Sequence, residues 1–281
     1  MQAFFQPFKW VTTTFILFFV LTFCQKATAQ QHSELGMWLG SATYFGDLNP
    51  DYNFATTRPA IGVLYRYTLN DYMALKATAS ATWVEHDDAT SKNPYQQARN
   101  LNFKTNIFEV AGFIDLHFQK FVMGNSKYHF TPYLTAGLAI FHFNPKTEYE
   151  GETYNLNEIG TEGQQNADYS GRKPYKLIQP AVPIGIGIKN WVRGKWTCHI
   201  EATYRSTFTD YLDDVSSTYV STALLGDGSL ATQLADRSGE VGNRIGDAGQ
   251  QRGDIVSNDG YLMLNVGVTY VLFNKKCPRS Y

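Results

Sequence analysis

Apolar residues alternate with small or polar ones along most of the chain after Gln30, in segments of about ten residues or more. This period of two predicts strands with one apolar face, and no helical periodicity of any length interrupts it. In the last segment, for example, Leu264, Val266 and Val268 share one face. The pattern predicts eight strands, at 34–44, 59–69, 72–84, 107–118, 130–143, 176–190, 196–205 and 261–273.

The connections between these strands alternate in length. Long connections are expected at 45–58, 85–104, 144–175 and 206–260, and short ones at Asn70 and around Gly124 and Gly194. This rhythm predicts an all-β fold: an eight-stranded antiparallel, transmembrane up-and-down β-barrel with long extracellular loops. A soluble sandwich has no reason to place every long loop at one end. A lipocalin-like barrel is the stronger alternative, because it also has about eight antiparallel strands.

Charged residues lie on the strand faces opposite the apolar ones. In a membrane barrel they would fill a narrow lumen and pair with one another, whereas in a lipocalin-like barrel they would be surface charges. His117 and His199 share this face and are the candidate bases of a barrel enzyme. The predicted lumen charge network consists of Arg66, Lys76, Glu109, Asp115, Lys189, Glu201 and Arg205.

Composition favours the membrane barrel. Aromatic residues make up 15% of the chain, yet the mean hydropathy is only −0.29. Membrane barrels have this balance, since their interface girdles are aromatic while the lumen and loops are polar. The net charge of −1 and the lack of a basic stripe argue against nucleic-acid binding.

Residues 1–29 are predicted to be a cleaved signal peptide. Lys9 precedes an apolar run at 10–23, and Ala27-Thr28-Ala29 supplies a cleavage site. The alternative, a lipoprotein signal at Cys24, is disfavoured by the bulky residue before it. We expect residues 30–281 to form a single barrel domain, with 274–281 as a periplasmic C-terminal extension.

Two cysteines remain in the expected mature chain, Cys198 and Cys277. Both are expected near the short-turn end of the barrel, so one bond between them and two unpaired thiols stay open as alternatives. They form no cluster typical of zinc, and no motif for a phosphate, a dinucleotide or a nucleophilic serine occurs. We therefore expect no cofactor.

The stretch "TDYLDDVSSTY" carries Asp210, Asp213 and Asp214 at the start of the longest loop. Three carboxylates with nearby hydroxyls are compatible with calcium, but the spacing lacks the EF-hand pattern. The favoured interpretation is an ordered, hydrogen-bonded loop base at the barrel rim. In the same loop, "RGD" at 252–254 is interpreted as a chance match to an integrin motif.

Several segments together resemble the PorG-type outer-membrane barrels of the Bacteroidetes type IX secretion system. They are "ELGMWLGSATYFGDLNP", "RPAIGVLYRYTLNDYMALKA", "FTPYLTAGLAIFHFNP", "TDYLDDVSSTY" and the late "CP" at 277–278. The resemblance implies a barrel without enzymatic activity that associates, on its periplasmic side, with a PorK/PorN-like ring. The secretion system exports proteins, including those used in gliding motility.

Geometry places partner contacts at the short turns and the C-terminal extension, with the termini in the periplasm and the barrel wall against outer-membrane lipids. The candidate contacts are Asn70, Asp71, Asn125, Trp191, Arg193, Lys275 and Lys276. Two other functions remain open. One is a stand-alone barrel acting through its outer loops as an adhesin or resistance factor, and the other is a barrel enzyme acting on lipid.

Overall fold

The computed structural model describes residues 31–51, 53–166 and 171–275. The expected signal peptide, Lys276 and Cys277 lie outside these residues. Ten strands are described. They are β1 (Gln31–Phe45), β2 (Arg58–Asn70), β3 (Met73–Asp87), β4 (Asn102–His117), β5 (Phe130–His142), β6 (Pro145–Tyr149), β7 (Glu152–Asn155), β8 (Ile178–Arg193), β9 (Trp196–Thr207) and β10 (Gly260–Lys275).

Eight of the strands form a closed antiparallel barrel in the order β3-β2-β1-β10-β9-β8-β5-β4, and β3 pairs with β4 to complete the circle. The first and last strands pair along almost their whole length, from Gln31 opposite Lys275 to Phe45 opposite Gly260. Closure leaves none of these eight strands with an unpaired edge, which is the condition for crossing a lipid bilayer with strands. The predicted fold class is confirmed.

The barrel has inverted polarity, with apolar side chains outside and polar ones inside. Leu138, Val110 and Met37 are exposed by 73%, 66% and 67%. Arg66 and Lys189 point inward and are fully buried. A lipocalin-like barrel would place these two sets the other way round, so that alternative is wrong. Exposing such an apolar exterior to water is unfavourable, whereas contact with the hydrocarbon of a bilayer is favourable.

The two ends of the barrel differ. One end carries the short connections 71–72 and 194–195 together with Gln31 and Lys275, the outermost residues of the first and last strands; we call it the turn end. The opposite end is called the loop end. At the loop end β3 and β4 continue for five residue pairs beyond the Ala60–Thr82 pairing of β2 with β3. The β6–β7 hairpin adds to β4 at Lys104 and Thr105. We call this four-stranded extension the projecting sheet.

Short helices lie in the loop-end connections: α1 (Pro94–Arg99), α2 (Leu156–Ile159), α3 (Thr222–Leu225) and α4 (Leu230–Ala235). Asn93 caps α1 by accepting from the backbone N–H of Tyr95 at 2.9 Å, and Asn100 ends it in the left-handed conformation. Among the described residues, no helix is long and apolar enough to cross a membrane.

One connection departs from the predicted rhythm. The link between β4 and β5, residues 118–129, was expected to be short, but it is as long as the 46–57 link at the loop end. Its length has a structural reason: the chain folds back under the barrel, where the N–H of Phe121 donates to the carbonyl of Asp71 at 3.2 Å. Phe121 is thereby buried to 2% exposure at the turn end.

Candidate functional site

The lumen of the barrel is filled by ion pairs. In the turn-end half, Arg66 donates to Asp115 at 3.0 Å, and Lys76 lies 3.2 Å from the same carboxylate and also bonds Glu201. Nearer the loop end, Arg205 pairs with Glu109 at 3.1 Å. The structure thus places these six predicted lumen residues inside the barrel and joins them in two groups, one of four residues and one pair.

Lys189, the seventh predicted lumen residue, pairs with a carboxylate that the sequence analysis did not assign. Its Nζ lies 2.5 Å from Glu34, which is fully buried and also accepts from Thr269 at 2.8 Å. Arg66 stands 3.7 Å from the other oxygen of Glu34. The alternation in β1 predicts this position: Leu35, Met37 and Leu39 face outward, so Glu34, one residue before Leu35, faces the lumen.

His117 and His199 are both buried in the lumen, as their strand face required. His117 packs edge-on against the ring of Tyr133, with centroids 6.1 Å apart. In the described part of the chain, neither histidine forms a hydrogen bond with a carboxylate or with a serine, threonine or tyrosine hydroxyl. The base-and-nucleophile arrangement that a barrel enzyme would need is therefore not assembled among these residues.

Most of the predicted partner contacts lie together at the turn end. Asn70 and Asp71 form the β2–β3 turn, Asn125 lies in the 118–129 link, and Trp191 and Arg193 end β8. Trp191 donates its indole N–H to the Gly194 carbonyl at 3.0 Å, and Asp71 pairs with Lys120 at 3.2 Å. Lys275 ends β10 at the same end.

The turn end also closes the lumen. Phe121 lies beneath it, with the Nζ of Lys189 4.5 Å from its ring centroid. His117 contacts the same ring, at 6.1 Å between centroids. No period along the chain identifies Phe121, since it lies in a connection between strands. Together with the ion pairs above it, this aromatic residue fills the lumen at the turn end.

The loop end is closed by its own connections, which interlock into a cap. Arg99, from the β3–β4 connection, pairs with Asp88 at 2.7 Å and donates to the Arg252 carbonyl at 2.8 Å. Arg252 pairs in turn with Glu162, from the β5–β8 connection, at 3.0 Å. An apolar cluster lies beneath these contacts, comprising Leu48, Leu101, Phe143, Leu156, Leu212, Val215 and Leu234.

Arg252 is the first residue of the "RGD" triplet, and only 3% of it is exposed. Besides Glu162, it donates to the carbonyls of Asp214 and Ala235, at 2.6 and 3.1 Å. A receptor could not reach this guanidinium without dismantling the cap. The triplet is thus part of the cap structure, in agreement with its interpretation as a chance match.

The three carboxylates of "TDYLDDVSSTY" lie in this cap but serve different partners. Asp213 accepts from the Tyr44 hydroxyl and from the N–H of Leu48, whereas Asp214 accepts from Tyr175 at 2.7 Å and Thr161 at 2.5 Å. Among the described residues, no group of three or more acidic, histidine or cysteine side chains could hold a metal ion. The structure therefore does not bring Asp210, Asp213 and Asp214 together as calcium ligands.

Burial dominates the protonation of these cap carboxyls. Burial and then the neighbouring Asp47 carboxylate raise the pKa of Asp213 to about 8. Burial raises the pKa of Asp214 to about 7 and that of Asp210 to about 9. Burial alone would also raise the pKa of Glu162, but Arg252 and the hydroxyl of Ser217 hold it below its usual range. The cap therefore combines ionised pairs with protonated carboxyls at neutral pH.

Cys198 lies in β9 on the outward face of the barrel wall and is partly exposed. Cys277, the other cysteine of the expected mature chain, is outside the described residues, so a bond between the two and two unpaired thiols both stay open.

A closed barrel with an apolar wall, a lumen of paired charges and long connections at one end belongs to the class of outer-membrane-type β-barrels. Residues 12–232 of the chain match the family described as "Domain of unknown function (DUF6089)". The match covers more than half of the chain, and the protein belongs to this family. No curated protein matches the chain.

The chain is also similar to small barrels of known structure. Ail, the attachment invasion locus protein of Yersinia pestis, has 8% identity and a TM-score of 0.41, with 87% of this chain and 99% of Ail covered. Neisserial surface protein A has 10% identity and a TM-score of 0.40, with 85% and 96% covered. Outer Membrane Protein W of E. coli has 11% identity and a TM-score of 0.33, with 88% and 100% covered.

Proposed function

We propose that this protein is a non-enzymatic barrel of the outer membrane that anchors a periplasmic ring of the type IX secretion system. The turn end would face the periplasm and contact the PorK/PorN-like ring proteins. The observation that carries the proposal is the closure of the barrel at both ends around a lumen of ion pairs. A barrel filled in this way has no path for a solute through its lumen, so we expect it to act by binding partners at its end surfaces.

The turn end has the chemistry of a protein-binding surface. Lys120, Lys127, Arg193 and Lys195 are exposed there, and Asp71 is the acidic residue of the adjoining turn. Trp191 stands two residues before Arg193 at the end of β8, and its indole N–H donates to the Gly194 carbonyl. Arginine and aromatic residues are enriched in protein interfaces, and a basic surface steers an acidic partner toward it. The sequence segments that resemble PorG-type barrels supply the identity of the proposed partner.

Co-purification tests this function. The tagged barrel would be captured from detergent-solubilised outer membranes, with a charge-reversed variant, Arg193→Glu together with Lys195→Glu, in parallel. We expect the ring lipoproteins to accompany the parent protein and to be depleted with the variant. The matched control, Lys173→Glu together with Lys176→Glu, changes exposed cations at the loop end and should keep the ring proteins. Recovery of the barrel alone, with secretion intact in a deletion strain, would rule out the proposal.

A second candidate is a barrel that acts through its loops, as an adhesin or resistance factor. The ordered cap favours it, because four connections that interlock through Arg99, Glu162 and Arg252 present a fixed surface. Under this hypothesis the loop-end variant would lose surface attachment while the turn-end variant kept it. The two candidates therefore predict opposite outcomes for the same pair of variants.

A further inference from the structure

The projecting sheet and the start of β2 enclose a cleft of about 640 Å3 at the loop end. This volume falls within the range of about 300–1,000 Å3 that is usual for small-molecule sites. The cleft lies at the opposite end from the proposed anchoring surface and is independent of that function. The lining includes Thr56, Arg58, Glu85, His86, Asn106 and Lys146.

Apart from Phe103, the lining residues have polar or charged side chains, and their charges balance. It contains three cationic side chains and three carboxylates, interspersed with amides and hydroxyls. Arg58 bonds Glu85, and Lys104 stands 3.8 Å from the same carboxylate, so the charges compensate one another. A strongly charged ligand would pair with the lining groups of opposite charge and leave their present partners uncompensated. An apolar ligand would leave the donors and acceptors of the lining without partners. A neutral ligand that both donates and accepts hydrogen bonds fits best.

Several lining groups have hydrogen-bonding capacity that the protein does not use. In the described part of the chain, buried atoms without a partner include Nδ1 of His86, Nε of Arg58 and Oγ1 of Thr56. His86 is itself only 4% exposed. Such groups are costly to bury, so a ligand with donors and acceptors that settles against these three residues would offset part of that cost.

From these observations we propose that the cleft binds an uncharged, hydroxyl-rich saccharide. Hydroxyl groups donate and accept in turn, as the mixed amide, carboxylate and ammonium lining requires. Phe103 is the apolar contribution to the cleft.

The position of the cleft suggests two sources for such a saccharide. Phe108, 59% exposed on the apolar outer wall, follows the cleft residue Asn106 by two positions on the same face of β4. The cleft therefore lies directly beyond the apolar wall, within reach of a glycan attached to a membrane lipid as well as of a free one. Both sources present the same hydroxyl chemistry.

Binding would be measured with the full-length barrel purified in detergent micelles. The probes are uncharged glucan, mannan, galactan and xylan oligosaccharides on an array, with sulfated and uronic-acid oligosaccharides beside them. The affinity of the strongest binder is then determined for Asn106→Ala and Lys146→Ala. Lys176→Ala, an exposed lysine of another loop, is the matched control. Retained heat-modifiable migration on a gel verifies that each variant remains a closed barrel.

We expect selective binding of an uncharged oligosaccharide, weakened about threefold to tenfold by each cleft variant and unchanged by Lys176→Ala. Three results would overturn the proposal: no uncharged probe bound, a preference for the sulfated or uronic-acid probes, or equal affinity in the parent and both cleft variants. Repeating the assay with an uncharged glycolipid in nanodiscs and with its free glycan separates the sources. Binding of only the lipid-linked form, lost in the cleft variants, assigns the cleft to a lipid-attached glycan.

Discussion

The pair formed by Lys189 and Glu34 allows a sharp test of the lumen network. Both side chains are fully buried and their charged atoms lie 2.5 Å apart. Breaking a buried ion pair by removing one partner costs about 3–5 kcal/mol, because the other charge remains in a poorly solvated site. Lys189→Met leaves Glu34 with Thr269 at 2.8 Å and Arg66 at 3.7 Å, so we expect the lower part of that range, about 3 kcal/mol.

The measurement is urea unfolding of the barrel in micelles, followed by gel migration and tryptophan fluorescence. Glu34→Gln combined with Lys189→Met removes both charges, and we expect it to recover at least half of the loss in a double-mutant cycle. Lys120→Met is the control: Lys120 also pairs with an aspartate, Asp71, but it is exposed to solvent, so we expect the free energy of unfolding to stay close to that of the parent. A loss below about 1 kcal/mol for Lys189→Met would refute the reasoning.

Three further predictions concern the closed ends of the barrel. Arg252→Ala leaves the buried Glu162 without its 3.0 Å partner, so limited proteolysis should cut the loops faster than in the parent while the wall stays folded; unchanged cleavage would contradict the interlocked cap. The pKa of Asp213 is raised to about 8, so the stability that its protonated carboxyl contributes to the cap is present at low pH and is lost as the pH rises toward 8. Amide exchange in the 208–259 loop, corrected for intrinsic rates, should therefore be slower at pH 5 than at pH 9. Slower exchange at pH 9 would contradict this dependence. Phe121→Ala should lower the free energy of unfolding by about 3–5 kcal/mol yet give no ion conductance in planar bilayers, because the ion pairs still fill the lumen; steady channel currents would contradict the closed lumen.

The barrel wall was predictable from the sequence because lipid imposes one simple rule on it. Every second residue of a strand must face hydrocarbon, and this period survives in segments such as 261–273. The same alternation identifies the inward charges and would have identified Glu34 had it been applied to the first strand. The ends agree less evenly: the strand predicted at 176–190 is observed at Ile178–Arg193, whereas the strand predicted to begin at 107 begins at Asn102.

The cap could not be predicted in the same way. Its contacts join residues that are far apart in the sequence, such as Tyr44 with Asp213 and Arg99 with Arg252. No local period encodes such pairs, and for the same reason the sequence predicts a loop where the β6–β7 hairpin lies. Asp213 and Asp214 look alike in sequence, yet they accept from Tyr44 and Tyr175 respectively, because the backbone turns through a positive φ of 67° at Asp214.

Site-specific photo-crosslinking in living cells tests the central claim most directly. A photoreactive residue would replace Asn125 or Arg193 at the turn end, and Lys176 at the loop end. An anchor predicts adducts with a ring lipoprotein from the two turn-end positions and none from Lys176. Ring adducts from Lys176, or none from either turn-end position while the barrel is assembled and present at normal levels, would contradict the proposed function.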